Sequence, residues 1–154
     1  MKTIYAAFAL GLAGTMLAAC SEAPAETEEA AAPLAASNAR LFLPAVEGNP
    51  GVVYFDLENT GDRAISVRRA DVEGAASAEL HDYMEYDDTE MGSIGVVTVQ
   101  PGETTSFKPG DLHVMAFELD PSLQAGGSTT VTLTMAGGTT MDFDAEIMPA
   151  DAER

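Results

Sequence analysis

Thr130-Val131-Thr132-Leu133-Thr134-Met135-Ala136-Gly137-Gly138-Thr139-Thr140-Met141-Asp142-Phe143-Asp144-Ala145-Glu146-Ile147 decides the fold class. Before the Gly137-Gly138 turn, Val131, Leu133 and Met135 alternate with three threonines; after it, Met141, Phe143, Ala145 and Ile147 alternate with Asp142, Asp144 and Glu146. A period of two places one set of side chains in a core and the other in water, which is the pattern of half-buried β-strands. Working outward, Val53, Phe55 and Leu57 alternate in the same way with Tyr54, Asp56 and Glu58. Further strands are expected at 76–83, 94–99 and 104–107. Turn residues separate the runs: Asn49-Pro50-Gly51, Asn59-Thr60-Gly61-Asp62, Pro101-Gly102, Pro109-Gly110-Asp111 and Gly126-Gly127. No segment carries a helical stripe and no internal repeat is visible. Short strands at this spacing predict an all-β sandwich or small barrel.

The chain has 154 residues, 46% of them hydrophobic, enough for one domain with its own core. Acidic residues outnumber basic ones by 25 to 7, a net charge of −18, which repels phosphate backbones and argues against nucleic-acid binding. Cys20 is the only cysteine, so a disulfide framework, thiolate zinc sites and blue-copper ligation are excluded.

At the N-terminus, Lys2 precedes an apolar run from Ile4 to Leu17, too short to span a bilayer comfortably and suited to a signal-peptide core. It ends in Leu17-Ala18-Ala19-Cys20, which resembles the lipobox of bacterial lipoproteins. The resemblance implies a signal peptide over 1–19, cleavage before Cys20, and lipidation of Cys20 as a membrane anchor. Ser21 after the cysteine resembles lipoproteins sorted to an outer membrane. Residues 20–38, rich in Ala, Glu, Pro, Thr and Ser, are expected to form a flexible acidic tether. The folded domain is expected over 39–148, with a tail at 149–154.

The chain holds two histidines, His81 and His113. In a strand, His113 and Met115 face the same way, roughly 6.5–7 Å apart, and both could reach one ion. Alternatively His113, Met115, Phe117 and Leu119 form one core-facing row. Two chain reversals, at Pro101-Gly102 and Pro109-Gly110-Asp111, should return His113 to the end where Met91 begins. His81, closing the strand before the loop to Met91, should lie there too. Imidazoles with thioethers favour Cu(I) over zinc, calcium or magnesium. Met135 and Met141 are in phase with core positions and read as packing.

His81, Met91 and, after twenty-one intervening residues, His113-Val114-Met115 are similar to the motif of the PCuAC family of periplasmic copper chaperones. Gly51-Val52-Val53-Tyr54-Phe55-Asp56-Leu57-Glu58-Asn59-Thr60-Gly61, Ala78-Glu79-Leu80-His81 and Pro109-Gly110-Asp111-Leu112-His113-Val114-Met115 resemble the family's early strand and its two ligand-bearing segments. The likeness runs over about 41–147. It implies a single cupredoxin-like (Ig-like) β-sandwich binding Cu(I) through His81, Met91, His113 and Met115, with Cu(II) left open as a second ion. It also implies a periplasmic metallochaperone, anchored by lipid if the lipobox holds, serving the copper centre of cytochrome c oxidase through the copper-bearing subunit or a Sco-type protein. This sequence departs from the family in having Asp82 directly after His81 and only nine residues between His81 and Met91. Met84 is an additional candidate ligand or a cover for apolar surface.

Three other functions compete. An enzyme is disfavoured, because neither histidine accompanies a nucleophile-elbow pattern and the carboxylates fall on solvated strand faces. A cell-envelope lipoprotein with a structural or partner-binding role would treat the His/Met set as packing. Copper storage or detoxification would use the same ligands without delivery.

Overall fold

The computed structural model describes residues 32–84 and 90–153, the side chains of Met84, Glu90 and Met91 excepted. Ten strands follow in order: β1 (Leu34–Phe42), β2 (Gly51–Asn59), β3 (Ile65–Val72), β4 (Ala75–Met84), β5 (Glu90–Ser93), β6 (Val97–Val99), β7 (Thr104–Phe107), β8 (His113–Leu119), β9 (Ser128–Met135) and β10 (Thr140–Met148). They pair along one path, β5-β4-β8-β2-β1-β10-β9-β3-β6, with β7 joining the far part of β2. The β1/β10 pair is parallel and every other ladder is antiparallel. The path curls into a half-barrel, the all-β, sandwich-like architecture expected from the alternation.

The expected alternation positions Val53, Phe55, Leu57, Val131, Leu133 and Met135 form the core, each at most 4% exposed. Phe55 stacks on Phe107 with ring centroids 4.1 Å apart, pinning β7 to β2. The chain crosses between the two sides of the curl at Glu73-Gly74, where β3 ends and β4 begins without a ladder between them. Gly74 has φ +80°, and a Cβ there would meet Leu123 at 3.0 Å, so the crossing requires glycine.

Two boundaries and the strand order differ from the sequence reading. β1 begins at Leu34, inside the stretch expected to be tether. Leu34 is buried and Ala36 packs on the core, and the segment pairs with β2 from Leu34↔Asn59 to Ser37↔Asp56. The ladder then slips between Ser37 and Arg40, where Asn38 adopts φ 56° and its amide donates to Asp56 at 2.8 Å. Asparagine tolerates this left-handed backbone well, so a bulge rather than a break results. The apolar run 94–99 is strand only from Val97: β5 ends before it and pairs with β4, Ile94 N–H still donates to the Leu80 carbonyl, and β6 pairs with β3. Consequently the two reversals do not form a simple meander. β6 and β7 join β3 and β2, and β8 inserts between β4 and β2. Residues 1–31, including Cys20 and the signal segment, lie outside the described residues.

Candidate metal centre

On β8, Val114 and Ala116 take the core face, each fully buried. The row of His113, Met115 and Phe117 therefore lies on the opposite face, which disposes of the core-row alternative for these three residues. Leu119 does join the core margin. The switch occurs at Glu118, whose φ of 52° interrupts the strand's alternation.

β4 supplies the facing row. Register pairs His81 with His113 and Glu79 with Met115. The imidazole centroids are 5.7 Å apart. On the other flank β4 pairs with β5, His81 with Ser93 and Tyr83 with Met91. Met91 thus occupies the same register parity as His81 and Tyr83, on the strand next to them. The backbone of Met84 pairs with Glu90; the side chains of Met84 and Met91 lie outside the described residues. The structure brings His81, His113 and Met115 to one face, and Met91 to a neighbouring position in the ladder.

Aromatic rings wall the pair. Tyr83 lies 5.5 Å from the His113 ring, and Phe117 lies 6.4 Å from the His81 ring. His113 is only 2% exposed although it is outside the core, and Tyr83 remains 40% exposed. Neither Tyr83 nor Glu79 was singled out from sequence. The available signal was their spacing of two residues on either side of His81, which fixes them to its face.

Each imidazole is held by one nitrogen. In the tight turn before β8, Gly110 at φ 78° lets the Lys108 carbonyl accept from Asp111 N–H. Nδ1–H of His113 then donates to the Asp111 carbonyl at 2.8 Å. A carbonyl can only accept, so the neutral His113 ring carries its lone pair on Nε2. In His81, Nε2 lies 3.3 Å from Oε2 of Glu79, and Nδ1 is buried with no hydrogen-bond partner. Burial holds the His113 pKa below that of a free imidazole; the Asp111 carbonyl opposes this, His81 adds to it, and Asp82 opposes it.

Among the described residues, no group of three or more His, Cys, Asp or Glu side chains gathers to hold a metal. A cation at this face would therefore depend on two neutral imidazoles and on thioether sulfur, a donor set suited to a soft monovalent ion. The unpaired Nδ1 of His81, beside a second imidazole whose Nε2 lone pair is free, fits that role. A cavity of about 540 Å³ lined by Leu43, Pro44, Leu119 and Leu123 lies at the other end of β8 and contains neither imidazole nor thioether.

A family model described as "Putative lipoprotein LpqE-like" matches residues 34–147. A protein of Leifsonia xyli subsp. xyli, also named as a putative lipoprotein, is 26% identical over 142 residues, covering 90% of this chain and 82% of its own. Among solved structures, the copper-bound PCuAC domain from PmoF2 superposes with a TM-score of 0.61 at 16% identity, over 78% of this chain and 96% of that one. The apo PCuAC domain from PmoF1 gives 0.65 at 21% identity, over 76% and 94%. The Cu(I) form of DR1885 from Deinococcus radiodurans gives 0.61 at 20% identity, over 81% and 83%. At these identities the likeness is one of fold.

Proposed function

Because this chain belongs to the LpqE-like family, we propose that it works outside the cytoplasm as a lipid-anchored carrier of Cu(I). The ion is its cargo, held by His81, Met91, His113 and Met115. The observation that carries this reading is the buried, unpartnered Nδ1 of His81 beside the His113 ring, whose Nδ1–H is already committed to Asp111. Buried polar atoms are seldom left unpaired without a reason, and a cation would supply the partner. The copper-bound and Cu(I) structures that share this fold support the same reading.

Each residue has a distinct part. His113, on an interior strand and nearly fully covered, provides a fixed nitrogen donor. His81, with its side chain 13% exposed, provides a second nitrogen nearer to solvent. Met115 and Met91 bring sulfur donors, which carry no proton and form no disulfides, and so suit an oxidising compartment. Tyr83 and Phe117 wall the imidazoles and lower the local polarity, which favours neutral ligands. When bound, Cu(I) keeps its single positive charge, since none of these ligands is an anion.

Delivery to the copper centre of cytochrome c oxidase, directly or through a Sco-type partner, is the role we assign within the periplasm, with the anchor on Cys20 favouring the outer membrane. The site is tested by titrating the purified protein with Cu(I) under anaerobic conditions against a chromogenic chelator. One equivalent should be retained, with mixed nitrogen and sulfur neighbours in X-ray absorption, and His113→Ala should weaken it. A purely nitrogen and oxygen shell, or no retention, would leave a structural lipoprotein as the better reading. For the delivery role, loss of the protein should lower oxidase activity only when copper is scarce. An unchanged oxidase would point to storage or detoxification.

A further inference from the structure

We propose that Glu79 is a positioning residue that makes Nδ1 of His81 the metal-binding atom, while the Asp111 carbonyl makes Nε2 the binding atom of His113. The proposal rests on the Cu(I) reading above and adds a residue outside its ligand set. Glu79 and His81 alternate along β4 and share one face, and Glu79 Oε2 lies 3.3 Å from His81 Nε2. A carboxylate offers no proton, so the ring nitrogen facing it is the donor. The neutral His81 ring then bears its lone pair on Nδ1. That atom is the one buried side-chain nitrogen or oxygen without a partner among the described residues.

The two histidines are therefore held as opposite tautomers. His113 donates through Nδ1 at 2.8 Å, and His81 donates through Nε2. With both N–H groups engaged by oxygen acceptors, both lone pairs are free for a metal. Supports of this kind fix ring orientation and typically change metal affinity by about 10–100-fold when removed. Glu79 serves without coordinating the ion itself, since its carboxylate is spent on the ring. Its side chain is 52% exposed, so replacing it does not open the core.

The test uses the full chain labelled with 15N at histidine, where two residues give a spectrum that can be read completely. In the apo protein, long-range 1H–15N correlations should show His81 protonated at Nε2 and His113 protonated at Nδ1. Adding Cu(I) anaerobically should move the 15N resonances of His81 Nδ1 and His113 Nε2. Glu79→Gln keeps an oxygen that can accept from the ring and should preserve both the tautomer and the affinity. Glu79→Leu should leave His113 unchanged, mix the His81 tautomers, and weaken Cu(I) by about 10–100-fold. A shift at His81 Nε2, a His81 ring protonated at Nδ1 in the apo wild type, or unaltered affinity in Glu79→Leu would overturn the positioning role alone. Absence of any ring shift with Cu(I) in the wild type would overturn the Cu(I) reading and the ligand-atom assignment together. The apo tautomers need no variant, so a poorly folded Glu79→Leu would not shield the proposal.

Discussion

Val114 and Met115 are consecutive on β8 and face opposite ways, so truncating each to alanine should damage different properties. Val114 is fully buried among the core residues. Removing two carbon groups forfeits about 1.6 kcal/mol at ~0.8 kcal/mol per buried methylene. The cavity left in a close-packed interior raises the total to roughly 2–3 kcal/mol. For a domain of this size that lowers Tm by roughly 10 °C. Met115 is partly exposed and outside the core, and should cost about 1 kcal/mol or less. In the proposed site its sulfur is a direct donor, however, so Met115→Ala should weaken Cu(I) by at least ~10-fold, no less than the loss of a supporting residue. Thermal unfolding followed by circular dichroism reads the first effect, and chelator competition for Cu(I) reads the second. Val114→Ala should bind Cu(I) like wild type. If both variants lost copper equally, or if Met115→Ala were the less stable protein, the two-face assignment would be refuted.

A chain beginning at Ala32 should match the intact domain in urea unfolding, whereas one beginning at Ala39 should unfold at clearly lower urea, because it lacks Leu34 and the ladder pairs to Asp56–Asn59. If the two unfolded alike, β1 before its bulge would contribute nothing. The apo domain should lose stability as pH falls below about 6.5: the unfolded His113 takes up a proton there, while burial keeps the folded one neutral to lower pH, so the unfolded state binds more protons. His113→Gln should flatten that slope; an unchanged slope would deny His113 its part. Cys20→Ala should move the protein from detergent-soluble membrane fractions to the soluble fraction, and wild type found freely soluble would reject lipidation at Cys20.

The strands at 53–57, 130–135 and 141–147 were legible because alternation is a local property of the sequence. The start of β1 was not. Leu34-Ala35-Ala36-Ser37 offers little strand preference of its own, and its extended state comes from pairing with β2. The division of 94–99 was hidden for a similar reason. Ile94 to Val99 reads as one apolar run, yet the short link around Gly95 carries the chain from the β4 side to the β3 side. The gathering of His81, His113 and Met115 was expected, but by a meander that the protein does not use. It arises from β8 pairing with β4, a contact between residues thirty or more positions apart. Which nitrogen each imidazole presents could not be read from sequence at all, since it depends on the Asp111 carbonyl lying 2.8 Å from one ring and on Glu79 beside the other.

The order of strands bears on how a carrier could give up its cargo. β8 lies between β4 and β2, β4 lies between β8 and β5, and β5 ends the ladder path. The proposed ligand positions therefore run from an interior strand, with His113 2% exposed, through His81 at 13% for its side chain, to Met91 on the terminal strand. Ligand exchange at Cu(I) proceeds most readily where an incoming donor can approach, and in the proposed site His81 is less covered than His113. On the proposed ligand set, a receiving protein would take the place of Met91 and His81 before His113, which is braced by its own turn and would be the last donor to part with the ion. Bracing His113 through the backbone carbonyl of Asp111 rather than through a mobile side chain suits that order. In the proposed carrier it would hold one ligand fixed while the others leave, keeping the site preorganised for the next ion.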